Sequence, residues 1–558
     1  MVGQRSNRLA RCGCKTNSAK SKAMLIGGGD ADKQRFLAEA GARGVTVVEG
    51  GMEVTGYPVG TREYRVAWAN ELAAKVAKEQ RALARTLATA YVEVPRHQAL
   101  AAAVRQTASA SFLWAARGLD PTITAAAAEQ LDNAICTLIY EELNMSEARA
   151  RLPERDQRYA DARLKLAKVS GGAAFARCQQ SIAGAYLGGV VDLARALKRH
   201  HPLFNISRLL PGADALYADV CDRAKKVASK DKINIYSDVG ELAENRPGKA
   251  VHHAVAKVYD AELFDALIKA HGQSPRTASL IASAGKASAV LDASPRWIPT
   301  RLNNAEYRCG LAAMLGLPLT EHGLTNTCQC GARNDATGEH APLCRFDNAK
   351  QPQATAGQVA TGLIIEQLRP RVRLRGKPLL TNKVRPTEFS FKHAADSVGI
   401  VLTDPAADAD KRFDVTFEAP DGALHYVDAK RTAHLNTNNL AKVCNVKHGQ
   451  GYAVEQGEKT KIASYHKVIS NLDSKSDRIH FATVDTAGNL SKGYDKLIKL
   501  VCRMAYPGAG ADGRYDVDGL RSRAVAFARQ TVGVGVWRSN FITISAWAAR
   551  TYGPAPCM

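Results

Sequence analysis

The sequence predicts an α/β multidomain protein, with helical N-terminal and middle regions, a small module rich in cysteine and histidine, and a mixed α/β domain near the C-terminus. Apolar residues recur at helical spacing through most of the first 295 positions, whereas strand-like runs alternate with helical ones after position 350. The chain has 558 residues, more than one hydrophobic core normally supports. We therefore expect five segments, which are 1–145, 146–295, 296–350, 351–505 and 506–558.

Charge and cysteine usage narrow the class of protein. Lys and Arg outnumber Asp and Glu by 76 to 54, a formal net charge of +22 that attracts polyanions, nucleic acid being the commonest. The alternative is a solvated basic surface without a specific partner. The chain contains no apolar run of about 18 residues, so we expect no membrane partner. The twelve cysteines occur singly or as Cys-x-Cys pairs, which indicates reduced thiols in the cytosol or nucleus.

The N-terminal segment mixes short strands with alanine-rich helices. Brief strands are expected around Gly50-Gly51, at Val45–Val48 and Met52–Val54. Three helices follow at Arg65–Ala90, Gln98–Arg117 and Ile123–Leu143, the last after an Asp-Pro stop. Residues 146–295 remain helical without a fixed repeat.

Four potential metal ligands lie within seventeen residues of one another. Cys328, Cys330, His340 and Cys344 have the spacing Cys-x-Cys-x9-His-x3-Cys. Three thiolates and one imidazole suit tetrahedral Zn²⁺, and a closed set of four protein ligands is structural. The alternative is four residues that never meet in the fold.

Two strand-like runs and the turn between them form the second candidate site. Residues 412–419 and 424–429 are separated by Pro420-Asp421-Gly422, a strong hairpin signal because Pro presets φ and Gly accepts a positive φ. Thirteen residues separate Asp414 from Asp428, so an antiparallel hairpin places the two carboxylates at neighbouring positions of one sheet. Asp428 and Lys430 alternate with Ala429 and project to the same face. A helix at about 354–368 is predicted before these strands, and helices at 454–470, 494–505 and 518–530, with a strand at 479–484, after them.

Two carboxylates and a lysine are the groups that phosphodiester hydrolysis uses. The carboxylates hold Mg²⁺ or Mn²⁺, which polarises the phosphoryl oxygen and acidifies a bound water, and the lysine stabilises charge or orients the nucleophile. The spacing Asp-x13-Asp-x-Lys is weak by itself. The alternative interpretation is a polar-faced hairpin with a surface ion pair.

Several groups of residues follow in a particular order towards the C-terminus. They are Trp297, Glu306-Tyr307-Arg308, Leu315-Gly316-Leu317-Pro318, the Cys-Cys-His-Cys set, Asp414, Asp428 with Lys430, and Glu458, Lys461 and Tyr465. In this order they resemble the C-terminal region of site-specific non-LTR retrotransposon proteins, which carry a zinc knuckle and a PD-(D/E)XK restriction-endonuclease-like α/β domain. The resemblance implies catalytic roles for Asp414, Asp428, Lys430, Lys461 and Tyr465. Phe413 departs from the usual proline before the first acid, which affects only the local turn.

A weaker resemblance covers the N-terminus. Asn17, Lys20 and Ser21, the residues 51–60, and the helical start at 98–121 are similar to the palm end, primer-grip hairpin and thumb of the same family's reverse transcriptase. No Asp-Asp dipeptide occurs in the chain. We therefore expect a 5′-truncated product that does not synthesise DNA by itself, or the downstream part of a longer reading frame.

These resemblances lead to one preferred hypothesis and one alternative. The preferred hypothesis is a nuclear DNA endonuclease that nicks duplex target DNA for target-primed reverse transcription, with element RNA as a further candidate partner. Basic residues that could contact phosphate, or form only a solvated helix end, are Arg369, Arg371, Arg373, Arg375 and Lys377. The alternative is a decayed, zinc-containing protein that binds nucleic acid without catalysis. The target sequence and the oligomeric state stay open.

Overall fold

The structure is a computed structural model that describes most of the chain. The described residues are 22–25, 27–90, 95–201, 211–227, 238–319, 350–367, 373–374, 389–408, 411–432, 440–445, 449–506 and 517–552. The predicted zinc ligands Cys328, Cys330, His340 and Cys344 lie outside them, as do Asn17, Lys20, Ser21 and the basic run apart from Arg373. The described part is mostly helical with small sheets, in agreement with the predicted α/β multidomain class.

Helices account for most of the described elements. They are α1 (Asp30–Ala42), α2 (Arg62–Ala90), α3 (Arg96–Ala116), α4 (Pro121–Glu142), α5 (Ser146–Ala150), α6 (Glu154–Lys165), α7 (Cys178–His200), α8 (Pro211–Lys226), α9 (Val239–Asn245), α10 (Gly248–His271), α11 (Pro275–Ala282), α12 (Asn304–Leu315), α13 (Lys350–Gln367), α14 (Phe391–Val398), α15 (Pro405–Asp408), α16 (Leu440–Val443), α17 (Tyr452–His466), α18 (Lys492–Ala505) and α19 (Val517–Tyr552). The three long N-terminal helices predicted from apolar spacing are confirmed as α2, α3 and α4.

Within the described residues, the strands form one four-stranded sheet and three two-stranded ones. They are β1 (Lys22–Ala23), β2 (Thr46–Val47), β3 (Gly51–Val54), β4 (Tyr57–Gly60), β5 (Arg373–Leu374), β6 (Phe389–Ser390), β7 (Arg412–Phe413), β8 (Val415–Glu418), β9 (Leu424–Thr432) and β10 (Ile479–Asp485). The larger sheet has the order β10-β9-β8-β5. Neighbours are antiparallel except for β9 and β10, which are parallel and joined through α17. That connection is a crossover, as parallel neighbours require.

The predicted hairpin between β8 and β9 is confirmed. Gly422 has φ +84°, which only a residue without Cβ adopts at no cost, and its N–H donates to Ala419 O at 2.9 Å. The Asp421 carboxylate closes the turn by accepting from Ala423 N at 3.0 Å. Local turn chemistry therefore sets the register of the two strands.

The four-stranded sheet is covered on both faces. One face packs against α13, α18 and α19 through a core that includes Val415, Val427 and Ile498. The other packs against α14 and α17 through a second core around Tyr426 and Tyr465. Alternate residues of β9 therefore point to different cores, and each core holds one side of the strand in place.

A third, larger core joins segments that are distant in sequence. It includes residues of α2, α3, α4, α12 and α19, so the predicted segments share buried contacts. The predicted C-terminal helix 518–530 is longer than expected, ending at Tyr552. Its continuation is stabilised by burial, since Trp537 is 5% exposed and lies where any side chain at Gly310 would collide with it. Turn signals alone do not reveal this docking.

Candidate active site

The strand register brings the two predicted carboxylates together. Val415 pairs with Val427 at the start of β8, so the next position places Asp414 opposite Asp428. Asp414 lies between β7 and β8, directly after Phe413, which is fully buried against Tyr426 and Tyr465. Phe413 thus anchors the backbone directly before Asp414, at the position where the family that this sequence resembles has proline.

Asp414 is held by three partners. Its Oδ2 accepts from Ala429 N at 2.6 Å and its Oδ1 from Gln358 Nε2 at 2.8 Å. Its carboxyl group is also in hydrogen-bond contact with that of Asp428. Burial, followed by this contact and the negative charge of Asp428, raises the pKa of Asp414 well above its usual range. Two carboxylates in this arrangement do not both ionise readily unless a cation is near.

Asp428 is the centre of a small polar cluster. It is 5% exposed, and its Oδ2 accepts from Lys461 Nζ at 2.6 Å. The Tyr465 hydroxyl, one turn further along α17, donates to the same carboxylate. Burial and the nearby negative charge raise the pKa of Tyr465, so the phenol stays protonated and remains a donor. The predicted residues Asp414, Asp428, Lys461 and Tyr465 therefore lie in contact.

Lys430 lies on the same face of β9 as Asp428, as the alternation predicted. Its Nζ donates to Gly457 O on α17 at 3.5 Å. Burial, together with the repulsion of Lys461, lowers the pKa of Lys430, whereas Asp428 opposes that shift. Two ammonium groups thus lie beside two carboxylates, and both lysines are within reach of an anion placed there.

Helix α17 comes unusually close to the sheet at Gly457. A Cβ on this residue would lie 2.3 Å from the side chain of Thr432 and 3.0 Å from that of Thr483. The missing side chain therefore permits the approach that carries Lys461, one turn later, to Asp428. Glu458 does not join the cluster, because its carboxylate accepts from Gly493 N and Ser491 at the start of α18.

Gln358 is the site residue that the sequence did not suggest. It lies 56 positions before Asp414, on α13, and is 8% exposed. In the sequence, Gln358 is a polar residue on the apolar face of a helix that also carries Ile365. That pattern is a weak signal for a functional site, because such a residue more often makes a hydrogen bond within the core.

Searches for metal sites and for related proteins add little to this geometry. Among the described residues, no group of three or more His, Cys, Asp or Glu side chains is arranged to hold a metal ion. The proposed zinc ligands fall outside those residues. No protein-family model, curated protein or solved structure matches the chain. None of the described helices is long and apolar enough to span a bilayer.

Proposed function

We propose that this protein is a metal-dependent DNA endonuclease whose centre is Asp414, Asp428, Lys430 and Lys461. One observation carries the proposal, which is the contact between the carboxyl groups of Asp414 and Asp428, at the end of the β8–β9 ladder and beside two lysines. Metal-dependent hydrolysis of a phosphodiester uses carboxylates that hold a divalent cation and positive groups that contact the phosphate, and this cluster contains both types of group.

The residues fit Mg²⁺ or Mn²⁺ better than a closed metal site. Mg²⁺ is commonly held by one or two carboxylates, with water and substrate phosphate supplying the other ligands. Asp428 is buried, Asp414 is half-buried, and the two carboxylates are in contact and repel each other when ionised, so a nearby cation would relieve an electrostatic cost. The metal supplies a Lewis acid and an acidified water at this place.

The side chains around the carboxylates supply the remaining functions. Lys430 is partly buried on the sheet, where its ammonium stabilises the negative charge that develops on phosphate oxygens. Lys461 neutralises Asp428, and its ammonium group lies where it could also contact a phosphate oxygen beside the two carboxylates. Gln358 and Ala429 N orient Asp414 from two directions.

A plasmid-nicking assay with matched variants tests the proposal. Supercoiled DNA is incubated with the full chain in Mg²⁺ or Mn²⁺, and Asp414→Ala and Asp428→Ala are compared with Asp396→Ala, an exposed carboxylate on α14. We expect nicking by the wild type and Asp396→Ala, and a loss of at least about 100-fold in the other two. Nicking that survives both core substitutions would exclude this centre.

The wider assignment rests on the resemblance in the sequence. On that basis we propose a retrotransposon protein that acts in the nucleus on duplex target DNA, with element RNA as a further partner. Structural zinc would be bound by Cys328, Cys330, His340 and Cys344. We expect no polymerase activity from this chain alone. The net charge of +22 supports a nucleic-acid partner.

A second candidate function is nucleic-acid binding without catalysis. It is favoured by the absence of a third acidic ligand among the described residues and by the ion pair that occupies Asp428. Binding of DNA by the wild type, without nicking in either Mg²⁺ or Mn²⁺, would establish this alternative.

A further inference from the structure

A basic groove lies between α18 and α19, on the face of the sheet opposite α17. The cavity is about 470 Å³ and is lined by Lys496, Lys499, Cys502, Arg503, Arg521, Ser522, Val525 and Arg529. Five of these eight side chains are cationic and none is acidic. We call these residues the α18–α19 groove.

The cations on α18 form a stripe along one side of the helix. Lys492, Lys496, Lys499 and Arg503 follow each other at intervals of four, three and four residues, so all four project to the same side. At 1.5 Å per residue, neighbours are separated by about 4.5–6 Å along the axis. The opposite side of the helix, with Leu497, Ile498 and Val501, is buried in the core. The stripe is therefore held by packing on a rigid support.

A buried carboxylate fixes part of the groove in place. Asp495 forms ion pairs with Lys286 at 2.9 Å, Lys499 at 3.0 Å and Arg529 at 2.7 Å. Although burial opposes ionisation, hydrogen bonds from Lys286, Arg529 and Lys499 lower the pKa of Asp495 to about 2. One carboxylate thus holds three cationic side chains in place. Because three positive charges surround one negative charge, the local net charge stays positive.

The start of the stripe reaches the side of the sheet that carries the carboxylates. Lys492 pairs with Glu455 of α17 at 3.2 Å, and the charge of Lys496 acts on Glu458 of the same helix. Glu458 precedes Lys461 by three residues. The stripe therefore begins beside α17, the helix that carries Lys461, and its first two lysines face glutamates of that helix.

We propose that the α18–α19 groove binds the phosphate backbone of duplex DNA, as an anchoring surface separate from the cleavage centre. Its cationic lining complements phosphate. No aromatic residue lines it, whereas surfaces for single strands stack bases on aromatic rings. The choice of DNA over duplex RNA rests on the endonuclease function proposed above.

Salt-dependent binding by the full chain tests the groove. The double variant Lys496→Gln/Arg503→Gln removes two charges that have no ion pair with Asp495, and Lys249→Gln/Lys269→Gln removes two exposed charges from α10. Binding of a fluorescent duplex oligonucleotide is measured by anisotropy in EDTA at several salt concentrations. The slope of log K against log salt should fall in magnitude by about 2 in the groove variant, with at least about tenfold weaker binding near 0.1 M salt. The control should match wild type.

Outcomes of this experiment are independent of those for cleavage. An unchanged slope in the groove variant, with normal thermal unfolding, overturns the groove proposal even if the protein nicks plasmid. A reduced slope with no nicking by wild type leaves the groove standing while the endonuclease fails. Parallel titrations of wild type and the groove variant use single-stranded DNA and duplex RNA of equal length. If the groove substitutions weaken binding of either ligand more than binding of duplex DNA, the choice of duplex DNA is contradicted.

Discussion

At the scale of single residues, the paired carboxylates of Asp414 and Asp428 destabilise the folded protein. Asp414 is half-buried against Asp428, and its raised pKa means that the folded chain retains a proton which the unfolded chain releases. The free energy of unfolding therefore falls as the pH rises above the usual pKa range of aspartate. Such a cost is expected where a site is arranged for a ligand that is not yet bound.

Replacing Asp414 by Asn should separate stability from function. In EDTA at pH 8, Asp414→Asn should unfold about 1 °C higher than wild type, because one of two opposed charges is removed, roughly a 1 kcal/mol effect. Nicking should be lost. Thermal unfolding with and without Mg²⁺ checks this, since only the wild type should be stabilised by the ion. A lower melting temperature for the variant in EDTA would contradict the repulsion argument.

The two lysines should respond differently to substitution. Lys461→Met leaves the buried Asp428 without its ion pair, so we expect a loss of about 2 kcal/mol in EDTA, much of it recovered in Mg²⁺. Lys430→Met removes a cation that makes a long, 3.5 Å donation to Gly457 O, so stability should change by less than about 1 kcal/mol while nicking falls. Urea unfolding and nicking rates measure both. Equal destabilisation by the two variants would refute the distinction.

At the scale of elements, β9 links the candidate site to distant helices. Lys430 faces α17, whereas the next residue, Arg431, is half-buried and donates to Ser539 and Asn540 of α19. Burial lowers the pKa of Arg431 to about 10. One strand therefore presents the candidate catalytic groups on one face and attaches the C-terminal helix on the other.

The sheet also contains a histidine pair that predicts acid sensitivity. His425 and His480 lie on neighbouring strands with ring nitrogens 3.0 Å apart, and burial, followed by the repulsion of His425, lowers the pKa of His480 to about 3. Between about pH 6.5 and 3 the unfolded chain binds more protons, so stability falls as pH falls through that window.

Substitution of His480 measures that contribution. Wild type should lose about 2 kcal/mol more than His480→Phe between pH 7 and 5, because only wild type has this imidazole to protonate on unfolding. Urea unfolding at the two pH values gives the difference. The same pH dependence in both proteins would show that His480 is not the group responsible.

At the scale of the whole molecule, zinc content tests the predicted knuckle. We expect one zinc per purified chain, lost in Cys344→Ser and retained in Cys444→Ser, whose hydroxyl can keep the present donation to Ser274 O. Elemental analysis of the purified variants measures this directly. Full zinc in Cys344→Ser would remove that residue from the ligand set.

The large core shows why segment boundaries were harder to anticipate than elements. Helices α2, α3 and α4 follow from apolar spacing within each helix. That α19 packs with α12, through Trp537 against Gly310, depends on residues more than 200 positions apart. Periodicity indicates which face of a helix is buried, but it does not indicate the partner.

The sequence alone determined the hairpin and the pairing of its groups. A Pro-Asp-Gly turn and strand alternation are local properties, so the sequence could place Asp414 beside Asp428 in one sheet, and Asp428 and Lys430 on the same face of their strand. Only the tertiary structure decided that Gln358 holds Asp414, that Lys461 pairs with Asp428, and that α18 and α19 enclose a basic groove. Those contacts join residues far apart in sequence, and they depend on how helices pack on the sheet, which no local pattern specifies.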